Sequence, residues 1–275
     1  MRVNYARCIG IAVAVALMLN TAHATTLTFG IVPQQSAKKL AQLWTPICNY
    51  LSEKTDTTIT FSTAKDIPTF EKRLLAGQYD IAYMNPYHYT VFHEKPGYQA
   101  IAHQKDANIK GIVVVAKDRE ITSLSQLNGK SLAFPSPAAF AASVLPRAKM
   151  KSDGIEVDPK YVSSHDSVYL NVSKGLFSAG GGVLRTFNNT NPEVKEKLRV
   201  LWTTPGYTPH AIATHPAVDE KTRKKIQQVL IDMSSDPEGI ALLKTINFNG
   251  LQAADNSDWD DVRALNITLL DHLIR

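Results

Sequence analysis

The feature that most constrains this chain is a change of hydrophobic period that occurs in two rounds. Short β-branched stretches alternate with stretches whose apolar residues fall three and four apart, the signatures of strand and helix. The first round opens with a strand at Thr26 to Ile31. A helix from about Ser36 to Lys54 follows, with Ser36 as its N-cap and Leu40, Leu43, Ile47 and Leu51 on one face. A strand at Thr57 to Ser62, a helix at Ile67 to Ala76 stopped by Gly77, and a buried strand at Tyr79 to Met84 complete it. Strands joined through helices pair in parallel, so the order predicts an α/β sheet with helices on both faces.

Asn85-Pro86 then opens a short helix, and Tyr98 to Gln104 and Gly111 to Ala116 read as further strands. The second round begins after Lys117-Asp118. It contains strands at Ser131 to Phe134, near Tyr161, at Ala179 to Leu184 and at Val200 to Thr204, with helices at Ala139 to Ser152 and Ser164 to Lys174 between them. Beyond Pro205 come a strand at Ala211 to Thr214, a helix at Asp219 to Ser234, and a mostly helical tail from Asp236 to Arg275. No linker composition separates the rounds, so the second reads as an insertion in the first. The expected division is a first lobe of residues 25–116 plus 206–275 and a second lobe of 117–205. Crossings are expected near 114–118 and 203–210, and two crossings make a hinge that opens and closes.

The first 24 residues read as a targeting segment. Arg2 and Arg7 form a basic start, Ile9 to Leu19 an apolar run, and Ala22-His23-Ala24 a cleavage site. The run is shorter than the roughly 20 residues a membrane span needs. Cys8 precedes the apolar run, so it cannot carry lipid at the cleavage site. Cleavage after Ala24 predicts a periplasmic protein and removes two Arg and no acid, which lowers the net charge from +5 to about +3. Lys and Arg are scattered, so no nucleic acid is expected as partner, whereas a mildly positive field suits an anion. Cys48 alone remains, which excludes an internal disulfide, and its neighbours Ile47, Tyr50 and Leu51 read as core.

Motifs in order along the chain carry a resemblance. They are Gly30-Ile31-Val32-Pro33, Trp44-Thr45-Pro46 with Tyr50-Leu51, Leu75 to Ala82 before Asn85-Pro86 and Tyr89, Leu124 to Lys130, Ala133-Phe134 with Pro137 and Pro146, and Ser167-Val168 with Gly175. This series resembles the periplasmic phosphate-, phosphite- and phosphonate-binding proteins of ABC transporters. The resemblance implies a type II periplasmic binding protein: an α/β chain of two Rossmann-like lobes joined by a two-strand hinge. The chain departs from that family where it matters most. The family has a Ser/Thr-rich stretch holding the phosphonate oxygens, and here it is Ala138-Ala139-Phe140-Ala141-Ala142. Ser178 stands where the family has Asp, which disfavours an aminophosphonate. The run Phe134 to Ser143 with Gly181 to Phe187 is similar to oxyanion-sensing domains of the same superfamily, such as those for tetrathionate.

In α/β sheets ligands sit beyond the carboxyl ends of strands. Gln34, Asn85, Ser136 and Arg185 each follow such an end. The amides of Ala139, Phe140 and Ala141 sit at a helix start, which attracts an anion even without hydroxyls. Arg185 is the charged candidate, able to grip an oxyanion through its planar fork, with a surface ion pair as the alternative. Tyr87, Tyr89 and Tyr207 offer enclosing rings, while Tyr83, inside its strand, reads as core. His165 enters through the resemblance, at a polar ligand-contact position, and His210 through its place at the second crossing; either could instead cap a helix. His88 and His93 are five apart and share no helical face, and no zinc motif occurs, so no metal or cofactor is expected. Gly180 to Gly182 lacks the Lys and Ser/Thr of a phosphate loop and reads as a close backbone approach.

These readings predict a monomeric solute-binding protein that captures a small anion for an ABC permease in the inner membrane. The alternatives are a ligand-sensing partner of a membrane sensor kinase and an exported hydrolase. No Gly-x-Ser-x-Gly elbow or zinc set supports an enzyme.

Overall fold

The computed structural model describes residues 26–275; the expected signal segment and its cleavage after Ala24 lie outside the described residues. Among the described residues, eleven strands form two sheets. In the first, β1 (Thr26–Ile31), β2 (Thr58–Ser62), β3 (Ile81–Met84), β4 (Gln99–Gln104), β10 (Ala211–Thr214) and β11 (Leu251–Ala253) lie in the order β11-β4-β10-β3-β1-β2. In the second, β5 (Gly111–Ala116), β6 (Ser131–Phe134), β7 (Asp158–Tyr161), β8 (Ala179–Val183) and β9 (Leu198–Thr203) lie in the order β7-β6-β8-β5-β9. Each sheet has a parallel core of three strands flanked by antiparallel additions. The additions β10 and β5 are the first strands after a crossing, so each sheet takes its fourth strand from chain arriving out of the other.

The strand β5 therefore corrects one expectation. Its residues 111–116 were expected in the first lobe, yet they pair with β8 and β9 of the second sheet. The outgoing crossing lies at 105–110 rather than 114–118. An all-apolar run, Ile112 to Val115, fits either buried sheet, so only its partners decide. The two crossings pair with each other: Ile109 N donates to Tyr207 O over 2.8 Å and Tyr207 N to Ile109 O over 3.1 Å. Thr204 N also donates to Gly111 O over 2.9 Å.

Helices cover both sheets. Helix α1 (Ala37–Thr55) begins where Ser36 Oγ accepts from Lys39 N and buries Leu40, Trp44, Ile47 and Leu51. Helix α2 (Ile67–Leu75) is capped by Asp66 and α3 (Pro86–Glu94) by Asn85, whose Oδ1 accepts from His88 N. In the second lobe α4 (Leu145–Ser152) and α5 (His165–Ser173) flank β6 to β8. A five-residue α6 (Leu184–Asn188) and a four-residue α7 (Pro192–Lys195) follow β8. The tail, expected to be mostly helical, also supplies β11; α8 (Glu220–Asp232) and α9 (Pro237–Thr245) precede it. Cys48 is buried in the first core and burial pushes its thiol up to about 12, so it is packing rather than chemistry.

Candidate functional site

The strand ends of both sheets meet in one cleft. Beyond β6 the chain runs Pro135-Ser136-Pro137 into a single π-helical turn, Phe140–Val144, which continues directly into α4. The widening has a local cause. Pro146 has no N–H for the Ala142 carbonyl and its ring crowds that carbonyl, so the regular ladder fails there. Leu145 N donates to Phe140 O instead. The carbonyls of Ala141 and Ala142 turn toward the sheet and rest on Gly111 and Gly181, where any Cβ would collide with them. Peptide N–H groups point opposite their helix's carbonyls, so this end of the turn presents amides to the cleft. Among the described residues, the N–H groups of Phe140, Ala141 and Ala142 have no protein acceptor.

The space they face is narrow, about 10 Å³, and is also lined by Gln34, Asn85, Ile109, His165, Val183 and His210. Residues from both lobes meet around it. Arg185 Nη2 donates to Gln34 Oε1 over 2.8 Å and to Tyr83 Oη over 3.3 Å. His165 N donates to Gln34 O over 2.9 Å, and Asn85 Nδ2 to Ala138 O over 3.4 Å. Ser36 N donates to Asp166 Oδ2 over 3.2 Å. The lobes are thus closed on each other, and Arg185 is the charge at their seam, its guanidinium 5.6 Å from the ring centroid of Phe248.

The electrostatics follow from burial. His165 is pushed down to about 3, first by burial and then by Arg185. His210 is held well below its usual range by burial first, then by Arg185, His88 and His165. Both rings are neutral at pH 7, which leaves Arg185 as the cation beside the void. His165 Nδ1 lies 3.0 Å from Thr186 Oγ1, and His210 stacks on Tyr83 with ring centroids 4.9 Å apart. Burial likewise raises the Tyr83 phenol and outweighs the opposing pull of Arg185.

Of the residues expected here, Gln34, Asn85, Ala139, Phe140, Ala141, His165 and His210 line the void, and Arg185 sits at its edge on Gln34. Ser136 is buried beside the turn, its hydroxyl without a partner among the described residues. Tyr207 belongs to the hinge and meets the edge of Phe140 at 5.5 Å. Tyr87 and Tyr89 lie elsewhere. Tyr87 Oη accepts from Leu270 N over 2.7 Å, and Tyr89 packs on Trp259, with centroids 4.4 Å apart, while donating to Asn256 Oδ1. They face the C-terminal tail because the far side of α3 is the face that tail covers. Tyr83 is buried in the first core, as read, and its hydroxyl also accepts from Arg185. Asp166 was missed; its carboxyl, raised by burial, is the one acid that clasps the other lobe.

Two sheets of one strand order, each completed by a strand from the other's side and meeting in a polar cleft at their strand ends, define a type II periplasmic binding protein. The chain belongs to the family described as ABC transporter, phosphonate, periplasmic substrate-binding protein, whose model matches residues 29–259. A binding-protein component of an ABC phosphonate transporter from Pseudomonas aeruginosa is similar in structure, with TM-score 0.81, 16% identity, and 88% of this chain and 86% of that one covered. PhnD1 from Prochlorococcus marinus, solved with methylphosphonate, gives TM-score 0.80 and 19% identity over 88% of this chain and 99% of that one. The phosphate-import protein PhnD of Mycolicibacterium smegmatis is 23% identical over 185 residues, 56% of this chain. This chain spans about half of that relative's length, 54%.

Proposed function

We propose that this chain is a periplasmic solute-binding protein that captures an oxyanion of phosphate or phosphonate type and presents it to an ABC permease of the inner membrane. The first lobe comprises residues 26–110 and 205–275, the second 111–204. The anion's oxygens accept from the N–H groups of Phe140, Ala141 and Ala142, and Arg185, its Nη2 held by Gln34 and Tyr83, turns its remaining N–H groups to the anion's charge. Gln34 and Asn85 close over it from the first lobe. Partial opening of the hinge is required, since about 10 Å³ is roughly the room of one water. The protein binds without chemistry, as the binding proteins of its family do; the buried Thr186 hydroxyl beside His165 bonds to the Val183 carbonyl and Tyr169. The observation that carries this reading is the set of three unpaired amides of Phe140, Ala141 and Ala142, whose peptide carbonyls are held by Ser143 and Val144 N, by Leu145 N and against Gly111 respectively. The methylphosphonate held by the Prochlorococcus protein supports the ligand class.

The test is a thermal-shift screen with inorganic phosphate, phosphite, methylphosphonate and sulfate, followed by calorimetry. A ligand at a hundredfold excess over its Kd raises Tm by about 5–10 °C in a chain of this size. Arg185→Ala weakens that ligand by about 10- to 100-fold, the worth of a charged hydrogen-bond pair. If no oxyanion moves Tm at millimolar concentration, the reading fails.

A further inference from the structure

Next to the narrow void lies a much larger space. It is a groove of about 480 Å³ between the lobes, within the range of small-molecule sites, whereas the void holds about 10 Å³. The two are contiguous through three shared walls, Ile109, Val183 and His210. The chemistry of the groove is one-sided. Arg185 and Lys110 are its charges, and no carboxylate lines it. Four side-chain amides line it as well, those of Gln104, Asn108, Asn188 and Asn247, drawn from both lobes. Independently, His210 is 4% exposed and its Nε2 has no partner among the described residues, although the ring borders both spaces.

We propose that this groove takes the body of the ligand, so that the cargo is an oxyanion carrying a neutral, hydrogen-bonding organic substituent, a polyol phosphate being the type, rather than bare phosphate or a methyl-capped phosphonate. The inference rests on the headgroup reading above and extends it. The headgroup sits at the turn's amides and Arg185. The body passes His210, whose uncharged ring gives or accepts one hydrogen bond, and reaches the four amides. Gln104 Nε2 donates to Asn247 O, Asn247 Nδ2 donates to Asn189 Oδ1 and Asn188 Oδ1 accepts from Lys195, which leaves Gln104 Oε1, Asn247 Oδ1, Asn188 Nδ2 and both ends of Asn108 to read hydroxyls and carbonyls. A cationic body finds no counter-charge and meets Lys110 and Arg185 instead.

Calorimetry on the protein with three probes tests this: inorganic phosphate, glycerol 3-phosphate and phosphoethanolamine. Glycerol 3-phosphate is expected to bind about tenfold tighter than phosphate, the worth of one to two net hydrogen bonds. Phosphoethanolamine gains nothing over phosphate. In the double variant Asn108→Ala/Asn188→Ala, both at exposed positions, the ratio of the glycerol 3-phosphate to phosphate affinities falls below about three. If phosphate and glycerol 3-phosphate bind equally, or phosphoethanolamine binds tightest, the body subsite is wrong and the headgroup site stands. If none of the three binds while methylphosphonate or phosphite does, the body subsite is wrong and the headgroup site stands; if no oxyanion binds, the headgroup reading falls and takes this one with it.

Discussion

At the scale of single residues, the seam between the lobes is set by neutral imidazoles beside one guanidinium. His165 is the clearest case. Its folded value of about 3 lies below the ordinary 6.5, so the folded state resists a proton that the unfolded chain accepts. Stability from this ring is therefore complete above about pH 6.5 and is lost as pH falls toward 3. At pH 5 the loss is about 2 kcal/mol. Denaturant melts at pH 7.5 and pH 5 measure it, and His165→Gln should remove that share of the difference; an unchanged difference would show that the ring is not held neutral. The same residues show what one sequence yields. The placement of Gln34, Asn85, Arg185 and Ala139 to Ala141 around one cleft was legible because strand ends and helix starts have fixed directions. Tyr83 was legible as core, but its contact with Arg185 was not. The places of Tyr87 and Tyr89 were not legible either: both are buried aromatics, and which face each ring meets depends on partners up to 183 positions away, as with Leu270 against Tyr87.

At the scale of elements, the proposed site depends on the turn Phe140–Val144, which would hold an oxyanion without hydroxyl side chains. A helix starting at Ala139 was legible, and the loss of Ser/Thr donors with it. The π turn was not, since it arises from Pro146 acting on Ala142 together with two glycines far off in sequence. The three consecutive glycines 180–182 were read as a close backbone approach, and that is what they are: Val168, the Ala142 carbonyl and Tyr169 fill the places their Cβ atoms would take. Gly181→Ala should therefore cost about 1–3 kcal/mol through overpacking and also weaken anion binding, because the amides are re-aimed. Gly129→Ala is the control. Nothing lies within 4 Å of its Cβ, its φ of +69° costs about 1 kcal/mol, and it leaves affinity as it was. Equal affinity in the two variants would mean that the turn does not aim the site.

At the scale of the molecule, the proposed clamp makes affinity depend on how open and closed populations divide. The lobes meet through apolar packing of Ala138 to Ala142 and Val183 on the first core and through hydrogen bonds, of which Gln34 makes two: its carbonyl accepts from His165 N and its side chain from Arg185. Asp166 on Ser36 N adds another. A ligand acts on this balance only through its preference for the closed form, and the observed Kd is the intrinsic one divided by the competent fraction. The hinge itself was legible as two crossings, but its outgoing position was not, because β5 is apolar throughout and suits either sheet. Gln34→Ala removes the side-chain bond across the seam and keeps the backbone one. It should enlarge the radius of gyration of the unliganded protein in solution scattering and weaken oxyanion binding by about tenfold, with Tm in the absence of ligand changed little, since Gln34 packs at the seam rather than within either core. Saturating phosphate should bring the variant back to the wild-type dimension. A variant whose unliganded dimension equals that of wild type, yet binds more weakly, would place Gln34 on the ligand and not on the hinge equilibrium.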